Sequence, residues 1–358
     1  MYKYQLILCV LIFSLNAAAA KPQLSVNLNQ YGANTESETR QSSLWGAAGI
    51  WKFLYSPTAY FTEDIALATT LETGSFRSRY TENGKPSSGL SLIEAKITFL
   101  PNDFFKMSAG AHSMNYFSAP MLFSNKSFAA IKEELTIPID TLNWQIFSMQ
   151  AIPKSDSSDL GLINLGPRDS YLLVTGSRLD APGNIFSMGI SYFYFHFSKL
   201  FNAVAYESQF DGNSVSGIGL NNTAFDYQYQ GHHAALSWEI FKSSPISWKQ
   251  NFSYLFNQQA PNRYNSGLML ENIFKVYDWC VNATLFKIRR DAAVAYYNTS
   301  SLGNTNRDGF LFEISTLTPQ IGGEMAMKYV KSNTIEKNSY QSDEQRVEFN
   351  WSQNFNLF

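Results

Sequence analysis

The chain has 358 residues, with 27 Lys or Arg against 29 Asp or Glu and a formal net charge of -2. That balance offers no basic surface for nucleic acid, and with Cys280 the only cysteine beyond the first twenty residues, no internal disulfide framework forms there. Charged residues make up 16% of the chain, where a soluble domain carries about 25%, yet aromatic residues make up 15%. A water-soluble protein of this composition would need a large core, whereas a wall between lipid and water puts the aromatics outside and the amides inside.

From the start of the chain, 1–20 reads as a signal peptide. Lys3 gives the positive start, 6–15 is an apolar run, and Asn16 to Ala20 supplies small residues for cleavage after Ala20. A spanning helix needs about 20 apolar residues, twice this run. Cys9 lies inside the run, so a lipoprotein signal does not fit. Nothing later approaches 18 uninterrupted apolar residues. The remainder, 21–358, reads as one domain.

Alternation then recurs along the whole chain. Leu24, Val26 and Leu28 alternate with Ser25, Asn27 and Asn29. Trp45, Ala47, Gly49, Trp51, Phe53 and Tyr55 share a face. Ile93, Ala95, Ile97 and Phe99 alternate with Glu94, Lys96 and Thr98, and Phe186 to Tyr194 shows the same period. Ile246, Trp248, Phe252, Tyr254 and Phe256 oppose Ser247, Lys249, Asn251, Ser253 and Asn257. Phe310, Phe312 and Ile314 oppose Glu313 and Ser315, and Met325, Met327 and Tyr329 oppose Glu324 and Lys328. Successive strand side chains point to opposite faces, so each segment has one greasy and one wet face. Many segments run to ten residues or more, the length that crosses a bilayer when tilted.

Turn chemistry marks tight connections at Ser56-Pro57, Pro101-Asn102-Asp103, 138–141, 180–184, Ser243-Ser244-Pro245 and Pro319-Gln320. Longer polar stretches lie between them at 32–43, 74–89, 115–127, 153–169, 211–222, 298–308 and 332–343. Short turns at one end and long loops at the other predict an all-β, antiparallel up-and-down transmembrane barrel of about 16 strands, with 14 or 18 as alternatives. The stretch 184–210 reads either as one strand with an inserted element or as two strands.

The chain ends in an amphipathic segment with Val347, Phe349, Trp351, Phe355 and Leu357 on one face and Glu348, Asn350, Ser352, Asn354 and Asn356 on the other. A last strand ending in an aromatic resembles the signal read by the outer-membrane assembly machinery, although Phe358 falls one residue out of phase.

The last third carries a more particular pattern. Phe256-Asn257 is followed by Ala260-Pro261-Asn262-Arg263 and the strand 267–275. Asp278-Trp279 opens the next strand and Arg290-Asp291-Ala292 closes it, and Asn304-Thr305-Asn306-Arg307-Asp308-Gly309 leads into another. Over roughly 252–330 the sequence resembles a porin family of Gram-negative outer-membrane barrels. Members commonly carry a paired acidic-aromatic-Gly run where this chain has Asn298-Thr299-Ser300-Ser301-Leu302-Gly303. The resemblance implies a single-chain channel for small solutes without a catalytic centre.

A channel acts through its lumen, where charges on the wall set ion preference and an infolded loop sets the bore. The wet faces nominate Glu94, Lys96, Lys249, Glu271, Lys275, Glu313, Glu324, Lys328 and Glu348 as pore-lining residues. Mixed signs and near-zero net charge predict weak ion selectivity. For the constriction, 115–127 is the first candidate because it is more apolar than an outward-facing loop should be, and 196–222 is the second. The four histidines, His112, His196, His232 and His233, sit in no catalytic motif, and neighbours such as His232 and His233 point to opposite faces, a poor spacing for one metal. No cofactor, metal or catalytic residue is assigned. The alternatives are an adhesin or structural barrel with a plugged lumen and, further off, an outer-membrane lipase or protease. The expected partners are the lipid bilayer, the assembly machinery through the last strand, and small polar solutes. A homo-oligomer is left open.

Overall fold

Alternating sequence becomes strand almost throughout. The computed structural model describes residues 22–80, 86–124, 126–153, 170–318 and 322–357. Its strands are β1 (Gln23–Ser37), β2 (Arg40–Thr58), β3 (Phe61–Ser78), β4 (Ser88–Phe99), β5 (Phe105–Ser113), β6 (Ser127–Ile139), β7 (Leu142–Ile152), β8 (Tyr171–Ala181) and β9 (Phe186–Ser198). Helix α1 (Asn202–Phe210) and the short pair β10 (Val215–Ser216) and β11 (Ala224–Phe225) follow. Then come β12 (Tyr229–Ile240), β13 (Ile246–Asn257), β14 (Ser266–Val276), β15 (Trp279–Ile288), β16 (Arg307–Thr318), β17 (Gly323–Thr334) and β18 (Glu344–Asn356).

Every strand except β10 and β11 joins one closed barrel of 16 strands. β1 closes it against β18, from Ser25 opposite Asn356 to Ser37 opposite Glu344. Closure leaves no sheet edge with unpaired amides, which is the condition for a sheet to cross lipid. The stretch 184–210 resolves as a single strand, β9, followed by α1, so the even count stands.

Two connection types separate the ends of the barrel, as the turn chemistry predicts. At one end the chain reverses within a few residues, through Asp140-Thr141 or Tyr277-Asp278, where Asp140 and Tyr277 take positive φ of 52° and 53°. At the other end lie the long segments 114–126, 199–228 and 289–306.

Several expected boundaries move. A loop was expected at 32–43, but β1 and β2 run on to a two-residue turn at Glu38-Thr39, closed by Ser37 Oγ accepting from Arg40 N at 2.9 Å. Polar side chains on both faces there read as loop, but the ladder needs only backbone amides and carbonyls and continues to Glu36 opposite Gln41. The turn expected at Ser56-Pro57 falls at Ala59-Tyr60 instead, and the register slips between Tyr55 and Thr58. Pro57 lacks an amide hydrogen, and a register irregularity is where a sheet tolerates it. The loop predicted at 74–89 shrinks because β3 extends to Ser78, and the one predicted at 298–308 begins earlier because β15 ends at Ile288. Segment 1–20, Phe358, the Pro319-Gln320 turn and most of 153–169 lie outside the described residues.

The apolar core lies within the barrel. Phe147, Phe193, Phe195 and Phe197 line the wall, and Phe117, Met121, Leu122 and Phe123 of the β5–β6 connection pack on them together with Val294, Tyr297 and Leu302 of the β15–β16 connection. Ring contacts run from Phe117 to Phe193 at 5.5 Å and from Phe197 to Tyr297 at 5.6 Å. Burying each large side chain contributes roughly 1.5–3 kcal/mol, so these connections are built into the barrel rather than hanging over it.

Candidate functional site

Residues directly paired across neighbouring strands share a face of the sheet, so the register assigns each side chain to the lumen or to the outer wall. Lys328 of β17 stands opposite Glu313 of β16 and Glu348 of β18. Glu271 of β14 stands opposite Asn251 of β13 and Thr284 of β15. All of these face inward. Lys328 pairs with Glu348, which also meets Arg346 Nε at 2.8 Å. Asn251 Nδ2 donates to Glu271 at 2.6 Å, and Asn282 Nδ2 donates to its other oxygen at 2.9 Å. These two amides fix the Glu271 carboxylate on the wall.

A cavity of about 590 Å³ occupies the interior. Lys249, Glu271, Glu313 and Lys328 line it, four of the nine residues nominated from sequence, and Glu348 joins them through Lys328. Lys275 and Glu324 share the inward face but stand nearer the short-turn end, opposite Cys280 and Ser352. Glu94 and Lys96 pair with each other on β4, where Lys96 also reaches Asp64 at 3.3 Å, away from the cavity.

The other side of the cavity is loop. Tyr116, Phe117 and Phe123 of the β5–β6 connection face the charged wall across it. This connection folds inward as expected of 115–127: Met121 and Leu122 are fully buried. Its first turn is anchored on β6, where Tyr116 Oη donates to Glu134 at 2.8 Å and Lys132 Nζ sits 3.3 Å from the Tyr116 ring centre. Lys132 and Glu134 themselves pair at 2.8 Å, both nearly buried. Its far end is held by Ser124 N donating to Tyr297 O at 2.7 Å and by Thr299 N donating to Pro120 O at 3.2 Å.

The wall also carries residues that sequence reading missed, among them Arg178, which pairs with Asp180 at 2.7 Å and reaches the cavity. The histidines divide as expected of neighbours, His233 buried against Phe193 with ring centres 4.7 Å apart and His232 on the outer face against Tyr192.

At the long-loop end a second polar hub knits the connections together. The buried Asp291 carboxylate accepts from Ser214 N at 2.9 Å, Ser214 Oγ at 2.6 Å and Tyr229 Oη at 3.3 Å. Asn213 Nδ2 donates to the carbonyls of Arg290 and Ala293, and Asn257 Nδ2 donates to that of Asp291. The helix-bearing segment, expected as the second candidate for narrowing the pore, thus forms part of a cap over the mouth. Burial pushes the Asp291 carboxyl above its ordinary value, opposed by the Ser214 bonds. A raised carboxyl contributes stability that is fully present below its ordinary value and lost as pH rises through its folded value. The midpoint of heat denaturation of Asp291→Asn, minus that of the wild type, is therefore expected to be more positive at pH 7 than at pH 4. A difference that is flat or runs the other way refutes the assignment.

No protein-family model matches the chain, and no curated protein sequence does. Solved structures do match over nearly its full length. OprB of Pseudomonas putida superposes with a TM-score of 0.60 at 8% identity, over 94% of each chain. OpdQ of Pseudomonas aeruginosa gives 0.52 at 11% identity, over 95% of this chain and 100% of that one. OprD of the same organism gives 0.50 at 9%, over 96% and 98%. Identity this low speaks to fold alone, and the fold is a closed sixteen-stranded antiparallel β-barrel.

Proposed function

We propose that this chain is an outer-membrane channel for the passive diffusion of small polar solutes, with no covalent chemistry. The observation that carries the reading is the two-sidedness of the closed wall. Inside stand Lys249, Glu271, Glu313 and Lys328 around a cavity. Outside, Phe252, Phe274, Leu285, Phe310, Phe312 and Phe349 are exposed. Trp248 stacks on Phe274 at 5.8 Å and Phe61 meets Phe99 at 5.0 Å near the short turns, as an aromatic girdle at a membrane surface would. The leader read in 1–20 and the amphipathic β18 suit export and assembly into that membrane.

Folded protein in planar bilayers is expected to conduct in discrete steps. Under a salt gradient the wild type should show a small reversal potential, because acids and bases alternate on the wall. Lys249→Glu with Lys328→Glu is expected to move it towards cation preference. Silent bilayers from folded protein would sink the channel reading, and an unmoved reversal potential would remove these residues from the conduction path. The cap hub around Asp291 favours a second reading, a barrel plugged at its mouth, and silent bilayers are the result it expects.

A further inference from the structure

The filling of the lumen is one-sided. Its apolar residues come from β6–β9, β12–β17 and the connections that fold in, from Phe128 round the wall to Val330. Among the described residues, β1–β5 and β18 contribute none. These strands bound the open side of the lumen, and the charged wall continues onto it, since Lys328 pairs with Glu348 of β18.

Tyr31 on β1 faces this side. Glu348 points inward and stands opposite Ala33, two residues along the strand from Tyr31. Tyr31 stands opposite Gly46 on β2, and Gly46 stands opposite Glu72 on β3. The Tyr31 hydroxyl donates to Glu72 Oε1 at 2.6 Å, so the side chain crosses β2 and lies along the wall. Glu72 is itself held, its other oxygen accepting from Ser87 N at 2.8 Å and from Ser87 Oγ at 3.2 Å. Only glycine permits this course. A Cβ at Gly46 would come within 2.5 Å of the Tyr31 ring, at Cζ, closer than carbon atoms pack. Glycine inside a strand weakens it and marks a place where something approaches closely. The row beside it reads Asn29, Ala48, Thr70, with nothing large.

We infer that Tyr31 and Gly46 set the width of the passage on its open side. Held flat, the ring leaves the lumen free. A side chain at 46 lifts it off the wall into the path of the solute. A second pair separates this role from simple cover of the sheet. On the outer face the exposed Trp45 lies over Gly32, where a Cβ would come within 2.8 Å of the ring. An aromatic over a strand glycine strengthens a sheet wherever it stands, but only the inner pair borders the passage.

The inference rests on the channel reading, and the test separates the two. In planar bilayers Tyr31→Ala is expected to raise single-channel conductance and to admit larger neutral polymers, read by exclusion of polyethylene glycols of graded size. Gly46→Val is expected to lower conductance about two-fold, because the passage narrows along part of its length only. The two changes together should conduct no less than the wild type, since the ring that Gly46→Val displaces is gone. Tyr31→Phe keeps the ring but frees it from Glu72, and the open-channel current should become noisier. Gly32→Val is expected to lower the denaturant midpoint and to leave conductance unchanged. Should Gly46→Val fail to fold, the two Tyr31 variants decide the matter. A conducting wild type, with conductance and polymer cut-off unmoved in the Tyr31 variants, overturns the bore-setting role and leaves the channel standing. A silent wild type removes both. Conductance that moves equally in Gly32→Val also overturns the role, since the effect then comes from a weakened sheet.

Discussion

Replacing 115–123 with a short Gly-Ser linker is expected to raise single-channel conductance several-fold and to weaken what selectivity the channel has. The residues removed are those that fill the lumen. Phe117, Met121, Leu122 and Phe123 pack against Phe147, Phe193 and Phe197 on the wall, and Tyr116, Phe117 and Phe123 form the aromatic side of the cavity. Without them the passage is bounded by the wall and the β15–β16 connection, and the bore widens towards the one set by the number of strands. The barrel itself is expected to survive, because its strands are paired all the way round. It should unfold at lower denaturant, since the uncovered aromatics lose burial worth roughly 1.5–3 kcal/mol each. Conductance of the folded variant at the wild-type level would show that the limiting narrowing is elsewhere, and the cap hub around Asp291 would become the gate.

The barrel was legible because one physical cause acts on every strand: lipid on one side and water on the other impose a two-residue period. That period also put Glu271, Glu313, Lys328 and Glu348 on the wet side of alternating runs, and the register places them on the inner face of the sheet. It fails where both sides are polar. Lys132-Glu133-Glu134 reads as a solvated charge cluster. In the fold Lys132 and Glu134 turn inward to hold Tyr116, and Glu133 turns to the outer face. No period distinguishes these roles, because the inner pair is fixed by Tyr116 of the β5–β6 connection. The hub was hidden for a related reason. Asp291 looked like a motif residue ending a strand, and its partners come from elsewhere in the sequence, Ser214 from a connection and Tyr229 and Asn257 from the ends of β12 and β13. The loop expected at 32–43 failed for a related reason, since β1 and β2 turn polar on both faces there but keep their ladder.

The buried pair on β6 gives the sharpest stability prediction. Lys132 and Glu134 are separated by 2.8 Å, with side chains only 7% and 8% exposed. Taking both from water is costly, so the pair itself adds little net stability, but removing one partner strands the other. Lys132→Met is expected to cost about 3 kcal/mol, the lower end of the 3–5 kcal/mol range for such a break, because Lys106 stands directly across from Glu134 and relieves part of the charge. The double change Lys132→Met with Glu134→Leu is expected to recover most of that loss, since it removes both buried charges and leaves only the more exposed Lys106 facing the site. Denaturant unfolding in lipid vesicles measures both. The single change should also loosen the first turn of the infolded loop, because Tyr116 loses the ammonium over its ring, and open-channel noise should rise in step. A single change costing well under about 1 kcal/mol would mean that water reaches the pair, as at an exposed site. Tyr116 would then have no firm anchor on the wall, and the loop would depend on Tyr297 and Thr299 at its far end.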